Sequence, residues 1–245
     1  MAQQLPLFVP VSNWAPPQNL PDLSSAKEIA VDLETHDPDL IQKGPGWATN
    51  SGEVVGVSLA TDSWSGYLPF AHQGGGNLEK GFVVNWLKKQ MATPSDKIFH
   101  NAMYDVGWLK RLGVEVSGTI QDTMIAAPLV NENRNRYSLD SLGSEYCGDR
   151  KDESLLREAA HTFGVDPKSG MWKLPSNYVG PYAEQDAVLT LKLWQVLKEL
   201  IDKEEVRKIY TLERDLLPLL LQMRWNGVRV NEDAAEEKSK YLKRE

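Results

Sequence analysis

The stretch Lys27-Glu28-Ile29-Ala30-Val31-Asp32-Leu33-Glu34-Thr35 reads as a buried strand, running from Lys27 to Leu33, that closes on two acidic residues. A strand's period of two puts Ile29, Val31 and Leu33 on one face and Asp32 with Glu34 on the other. Two adjacent carboxylates repel, and burying them is costly unless a cation neutralises them. A hard divalent ion that takes oxygen ligands, Mg²⁺ or Mn²⁺, meets that need. The same Asp-x-Glu spacing at Asp202-Lys203-Glu204 lies in a charged helical stretch, where solvation accounts for it.

Two further patterns give the first one context. Lys97-Ile98-Phe99 reads as a short strand, and His100-Asn101-Ala102-Met103-Tyr104-Asp105 as the start of the helix that follows it. Asn101 and Asp105 are four apart and can share a helix face. Taken alone they are equally an N-cap and a solvated acid. Gly180-Pro181-Tyr182-Ala183-Glu184-Gln185-Asp186 reads as the opening of a long helix that runs to about Asp202. Pro181 is expected in its first turn, where a missing N–H costs nothing. Tyr182 and Asp186 then stack one turn apart, with Val188, Leu189, Leu191, Leu193, Val196 and Leu197 as the apolar stripe. Asn-x-x-x-Asp and Tyr-x-x-x-Asp each occur once in the 245 residues, in that order.

These three ordered patterns resemble the motifs of the DEDD 3′→5′ exonucleases, in the subclass whose third motif carries tyrosine. The likeness is strongest to the proofreading domain of family A DNA polymerases, bacteriophage ones especially, and covers roughly Ser24 to Lys203. Asp122-Thr123-Met124 and Tyr137-Ser138-Leu139-Asp140-Ser141-Leu142 look like the family's connecting helices. The sister subclass has histidine five residues ahead of the last aspartate, a spacing that His161 and Asp166 share. Gly164 and Pro167 make that segment a helix end followed by a turn, so His161 is read as a helix-end residue.

The sequence pattern by itself supports an α/β fold. The resemblance implies the ribonuclease-H-like version: a mixed five-stranded sheet flanked by helices, with a helical C-terminal extension. It implies two divalent ions, Mg²⁺ or Mn²⁺, one held by Asp32, Glu34 and Asp186, the second also touched by Asp32. Asp105 would act on them mainly through bound waters and Tyr182 would orient the attacking water. Thr35 and Asn101 are candidate contacts to the terminal nucleotide. The implied reaction releases 5′-mononucleotides from a single-stranded 3′ end of DNA. A ribonuclease D-like RNA exonuclease shares the tyrosine-type motifs and is the rival enzyme. A catalytically silent domain that binds single strands or positions a polymerase would be expected to lose ligands, and none is missing.

Composition bounds the partners and compartment. A net charge of −7 argues against tight sequence-independent duplex binding and favours a site that takes a few nucleotides of one strand. Lys88, Lys89, Lys110, Arg111, Arg134, Arg136, Lys168 and Lys173 are the candidate basic contacts, most of them expected to be ordinary solvated surface. The single cysteine, Cys147, excludes a disulfide framework and suits a reducing compartment. The apolar stretch Leu216 to Met223 is short and carries Pro218, so no spanning segment is expected. The expected location is cytoplasmic, in the host cytoplasm if phage-encoded.

Three units are expected along the chain. Residues 1–23, with Pro6, Pro10, Pro16, Pro17 and Pro21 and no clear period, read as an extended arm. Residues 24–204 form the exonuclease-like unit. In it, His36 to Gly52 reads as a loop, Glu53 to Thr61 and Gly66 to Phe70 as a strand meander, and Leu78 to Met91 as a helix. His36 and His72 lack partners at zinc spacing, and Gly74-Gly75-Gly76 reads as a loop before a helix. Residues 205–245 look like the helical junction into a polymerase, truncated or on a separate chain, with Arg224 where family members often carry glutamate.

Overall fold

A computed structural model describes residues 9–244; the first eight residues, Pro6 of the expected arm among them, and Glu245 lie outside the described residues. Five strands, β1 (Glu28–His36), β2 (Glu53–Ala60), β3 (Ser65–Pro69), β4 (Asp96–Phe99) and β5 (Ile120–Asp122), form one mixed sheet in the order β3-β2-β1-β4-β5. The meander β1-β2-β3 is antiparallel, and β4 and β5 add in parallel on the other side of β1. The helices are α1 (Leu40–Lys43), α2 (Gly46–Thr49), α3 (Lys80–Met91), α4 (Ala102–Arg111), α5 (Thr123–Val130), α6 (Leu139–Leu142), α7 (Ser154–Phe163), α8 (Ser176–Lys203), α9 (Arg207–Asn226) and α10 (Glu232–Leu242). The segment His36 to Gly52, read as loop, thus carries two single-turn helices that its Gly and Pro residues concealed.

The central strand sorts the molecule into two cores. Ile29, Val31 and Leu33 pack with Leu59, Val83, Leu87 and Leu109 on the side of α3 and α4. Ala30, on the opposite face, packs with Ala126, Leu142, Leu193, Leu197 and Ile201 under α5, α6 and α8. Asp32 and Glu34 continue that second face, so the alternation along β1 aims both carboxylates at α8. The register of β1 against β2 shifts between Glu34 and Thr35. Such a bulge re-aims the side chains next to it.

Helix α8 begins at Ser176, earlier than expected, and Pro181 sits inside it instead of in its first turn. Proline removes one hydrogen bond to the carbonyl four residues back, here that of Asn177. That carbonyl instead accepts the hydroxyl of Ser12, at 2.6 Å, from the arm. The described part of the arm runs as extended chain without helix or strand until the turn before β1. Trp14 lies against Gly180, where a Cβ would meet its ring at 2.3 Å, and donates from Nε1 to Glu184 at 3.1 Å. Helix α9 is fastened to the sheet by Tyr210, fully buried, whose hydroxyl donates to Gln121 at 2.8 Å and accepts the Asp122 N–H at 3.1 Å. No described helix is long and apolar enough to cross a membrane.

Candidate active site

Asp32 and Glu34 from β1 meet Asp186, about three turns into α8, with one oxygen of each within 4.8 Å of the others. Burial pushes the Asp32 carboxyl up to about 7, and the charge of Asp186 adds to the shift while Lys151 opposes it. Glu34 is raised well above the usual carboxylate range by burial, then by the charges of Asp32 and Asp186. Asp186 is raised by burial, against the ammonium of Lys151. Three such acids, Asp186 buried and Asp32 and Glu34 half-buried, that strain against ionisation in this way call for cationic neutralisation.

The donor set fits a hard divalent ion. All three donors are carboxylate oxygens, the ligands Mg²⁺ and Mn²⁺ prefer. Oδ1 of Asp186 is buried without a directed hydrogen bond, although the Lys151 ammonium lies 2.7 Å away and donates to Oδ2 at 2.8 Å. An oxygen whose contact is an ammonium with no directed hydrogen bond is a ligand position that another cation can take over.

Asp105 is buried on α4 and does not belong to the trio. Beyond the end of β4 its carboxylate takes the Leu33 N–H, and burial with the charges of Asp32, Asp122 and Glu34 raises it well above its usual range. It therefore lies close enough to feel the charges of Asp32 and Glu34 but outside the group of converging oxygens. Tyr182 lies one turn before Asp186 and hydrogen-bonds to its carboxylate. Burial, then the charges of Asp186, Glu34 and Asp32, push the phenol far above its usual range, so it is a proton donor at neutral pH and not a base.

Of the two expected nucleotide contacts, Thr35 follows Glu34 directly on β1 and Asn101 opens α4, the helix of Asp105. Thr35 sits just past the bulge with its hydroxyl 2.8 Å from that of Tyr104, which in turn donates to Asp37 at 3.0 Å. Asn101 is exposed in the left-handed region, φ 78°, at the N-cap position of α4, but its side chain caps nothing. A cavity of about 210 Å³ beside it is lined by Trp47, Asn101, Met103, Tyr104 and Arg224 among others.

Lys151, Tyr67 and Gly56 escape the sequence reading, and His72 figures in it only as a loop histidine without a zinc partner. Lys151 lies in the loop before α7, where no periodicity marks it. Tyr67 and His72 form a buried pair behind the carboxylates, Oη to Nε2 at 2.7 Å. Burial holds His72 down at about 4, so it is neutral and no cation. Gly56, opposite Glu34 across the strands, makes room for Tyr67: a Cβ there would meet the phenol oxygen at 2.3 Å. The two look-alikes are elsewhere. Asp202 is exposed and paired with Arg207 at 2.7 Å, and His161 is exposed in the last turn of α7.

Carboxylates converging from the central strand of a five-stranded mixed sheet and from a crossing helix define the class, a ribonuclease-H-like nuclease fold. The 3′–5′ exonuclease family model of DNA polymerase A matches residues 18–202, and the chain belongs to that family. The DNA-directed DNA polymerase of Pseudomonas phage M6 is 39% identical over 94% of this chain and 36% of its own length. DNA polymerase DpoZ of Vibrio phage phiVC8 is 32% identical over 76% of this chain, and DNA polymerase I of Pseudomonas aeruginosa 28% over 86%, covering 31% and 23% of those proteins. The chain thus spans about a third or less of the length of these relatives. Among solved structures, Brucella melitensis NrnC with bound Mg²⁺ superposes with a TM-score of 0.59 at 19% identity, over 86% of this chain and 94% of that one. Escherichia coli RNase D gives 0.56 at 17% identity, over 89% of this chain and 50% of that one.

Proposed function

We propose that this chain is a tyrosine-type, two-metal 3′→5′ exonuclease that removes 5′-mononucleotides from a single-stranded DNA 3′ end. The observation that carries the reading is the convergence of Asp32, Glu34 and Asp186 within 4.8 Å, with Asp105 buried and within reach of their charges. Asp32, Glu34 and Asp186 would hold a Mg²⁺ or Mn²⁺ ion, and Asp32 would also serve a second. When bound, the two ions supply the Lewis acidity that activates the attacking oxygen and stabilises the leaving one. Asp105 orders the water layer next to Asp32. Tyr182 keeps its proton and positions the attacking water through its hydroxyl. Thr35 and Asn101 contact the terminal nucleotide.

DNA is the proposed substrate because the relatives that share most sequence are DNA polymerases; the likeness to RNase D is one of fold. The test is release of nucleotides from matched 3′-labelled DNA and RNA strands with Mg²⁺ or Mn²⁺, against the Asp32→Ala/Glu34→Ala double variant. No release by the wild type, equal release by the variant, or faster loss from RNA would each reject part of this reading.

The polymerase is the proposed partner, on the same full-length chain or a separate one. Residues 1–23 then serve as an arm, 24–204 as the exonuclease unit, and 205–245 as the start of the polymerase-like region. In support, α9, α10 and their connection expose Leu212, Leu219, Met223, Val228, Val230 and Leu242. A row of large apolar side chains in solvent is a surface that suits a partner.

A further inference from the structure

On the reading of Asp32, Glu34 and Asp186 as a metal site, we propose that Lys151 is a displaceable internal cation, which holds the Asp186 carboxylate until a divalent ion takes it and then turns to the phosphate of the incoming strand. The Lys151 ammonium straddles Asp186, 2.7 Å from Oδ1 and 2.8 Å from Oδ2, and lies 5.1 Å from the centre of the Tyr182 ring. Its side chain is only 10% exposed, although it comes from a loop of otherwise solvated residues.

The position is built. Gln185, the neighbour of Asp186, donates from Nε2 to the Arg150 carbonyl at 3.2 Å and accepts the Asp152 N–H at 3.0 Å. Lys192 of α8 pairs with Asp149 at 2.6 Å. The backbone on both sides of Lys151 is therefore clamped to the helix that carries Asp186. Only the four-carbon side chain is left to move.

Lys151 and a metal compete for the lone pairs of Asp186 that the ammonium now occupies. An ion about 2.0–2.1 Å from either carboxylate oxygen on the side facing the ammonium would nearly touch it, since the ammonium is already within hydrogen-bond distance of both oxygens. Like charges at that separation repel strongly in a buried site. Withdrawal has a destination. A groove of about 610 Å³ opens beside Tyr182 and is lined by Arg136, Arg150, Lys151, Arg157 and Lys168, against two acids, Asp140 and Glu153, the latter paired with Arg157. A wall so rich in cations suits strand phosphates, and an ammonium released from Asp186 joins it at the end nearest the carboxylates.

Mn²⁺ binding to the full chain without nucleic acid, read by electron paramagnetic resonance of the free ion, tests the displacement. A contact closed about nine-tenths of the time weakens apparent affinity about tenfold. Lys151→Met is expected to bind Mn²⁺ about tenfold more tightly than wild type, Lys151→Arg to remain near wild type, and Lys168→Met to be unchanged. With Mn²⁺ and a single strand ending in a phosphorothioate, Lys151→Met and Lys168→Met are both expected to bind the strand several-fold more weakly. Equal or weaker Mn²⁺ binding by Lys151→Met overturns the displacement, and unchanged strand affinity overturns the transfer to phosphate. Lys151→Gln, with near-ultraviolet circular dichroism on both variants, separates these outcomes from misfolding. If the wild type binds no Mn²⁺, or Asp32→Ala/Glu34→Ala binds it equally well, the metal-site reading itself fails and this inference falls with it.

Discussion

The carboxylate of Asp122 accepts the N–H of Ala102 at 2.8 Å, so a residue at the end of β5 starts the helix that carries Asp105. It also accepts the N–H of Asn101 at 3.1 Å and that of Met124, in the first turn of α5, at 2.8 Å. One buried side chain thereby caps two helices. The left-handed backbone of Asn101 is what turns the first amides of α4 toward it.

Asp122→Ala is expected to lower stability by about 2 kcal/mol, about 1 kcal/mol for each cap. It should also reduce nuclease activity, because Asp105 loses its fixed helix start. Urea unfolding measures the first effect, and a change below about 0.5 kcal/mol would mean that the two caps are not formed as described.

The arm is expected to contribute to the stability of α8. Ser12→Ala removes the hydroxyl that serves the Asn177 carbonyl left over by Pro181, a loss of about 1 kcal/mol. Gly180→Ala must push aside the Trp14 ring and is expected to cost about 1–3 kcal/mol. Thermal melts of the two variants check both; an unchanged Gly180→Ala protein would show that Trp14 does not lie on α8 in solution.

What was legible in the sequence, and what was not, follows from the range of each interaction. The alternation in β1 sorts Asp32 and Glu34 from Ile29, Val31 and Leu33 by backbone geometry alone, so that half of the site could be read directly. Tyr182 and Asp186 are one helical turn apart and were equally visible. The true start of α8 was hidden because the carbonyl that Pro181 leaves over is satisfied by a hydroxyl 165 residues away. Lys151 was hidden for a related reason: its place is set by Gln185 on another element, and nothing in Gly148-Asp149-Arg150-Lys151-Asp152 announces it. Asp122 was visible as part of a connecting helix, but its role depends on amides that only the fold brings near.

Tyr182 and His161 make opposite predictions for the third motif. Tyr182→Phe removes the hydroxyl at Asp186 and is expected to lower the turnover rate about 10²-fold, the effect of one lost orienting group in a site of this kind. His161→Ala, at the exposed end of α7, is expected to leave turnover within about twofold, as for ordinary surface changes. Steady-state nucleotide release from a single strand compares them. A large loss confined to His161→Ala would transfer the motif to the other segment.

Metal binding and pH should be linked through Asp32. Its folded carboxyl is raised from 3.8 to about 7, chiefly by burial, with Asp186 adding to the shift. Without metal, the folded chain therefore keeps a proton there that the unfolded chain has lost, and this contribution to stability declines as pH rises from about 4 through about 7. A bound divalent ion needs the ionised carboxylate, so binding releases that proton and tightens as pH rises. His72 is held down at about 4 by burial and its linkage has the opposite sign, but it acts with and without metal and cancels in the difference. The increase in melting temperature on adding Mn²⁺ is thus expected to grow from about pH 5.5 to about pH 8. Calorimetric titration in buffers of different ionisation enthalpy should show net proton release on Mn²⁺ binding near neutral pH. A stabilisation that shrinks with rising pH, or binding that takes up protons, would contradict the raised carboxylates as the metal ligands.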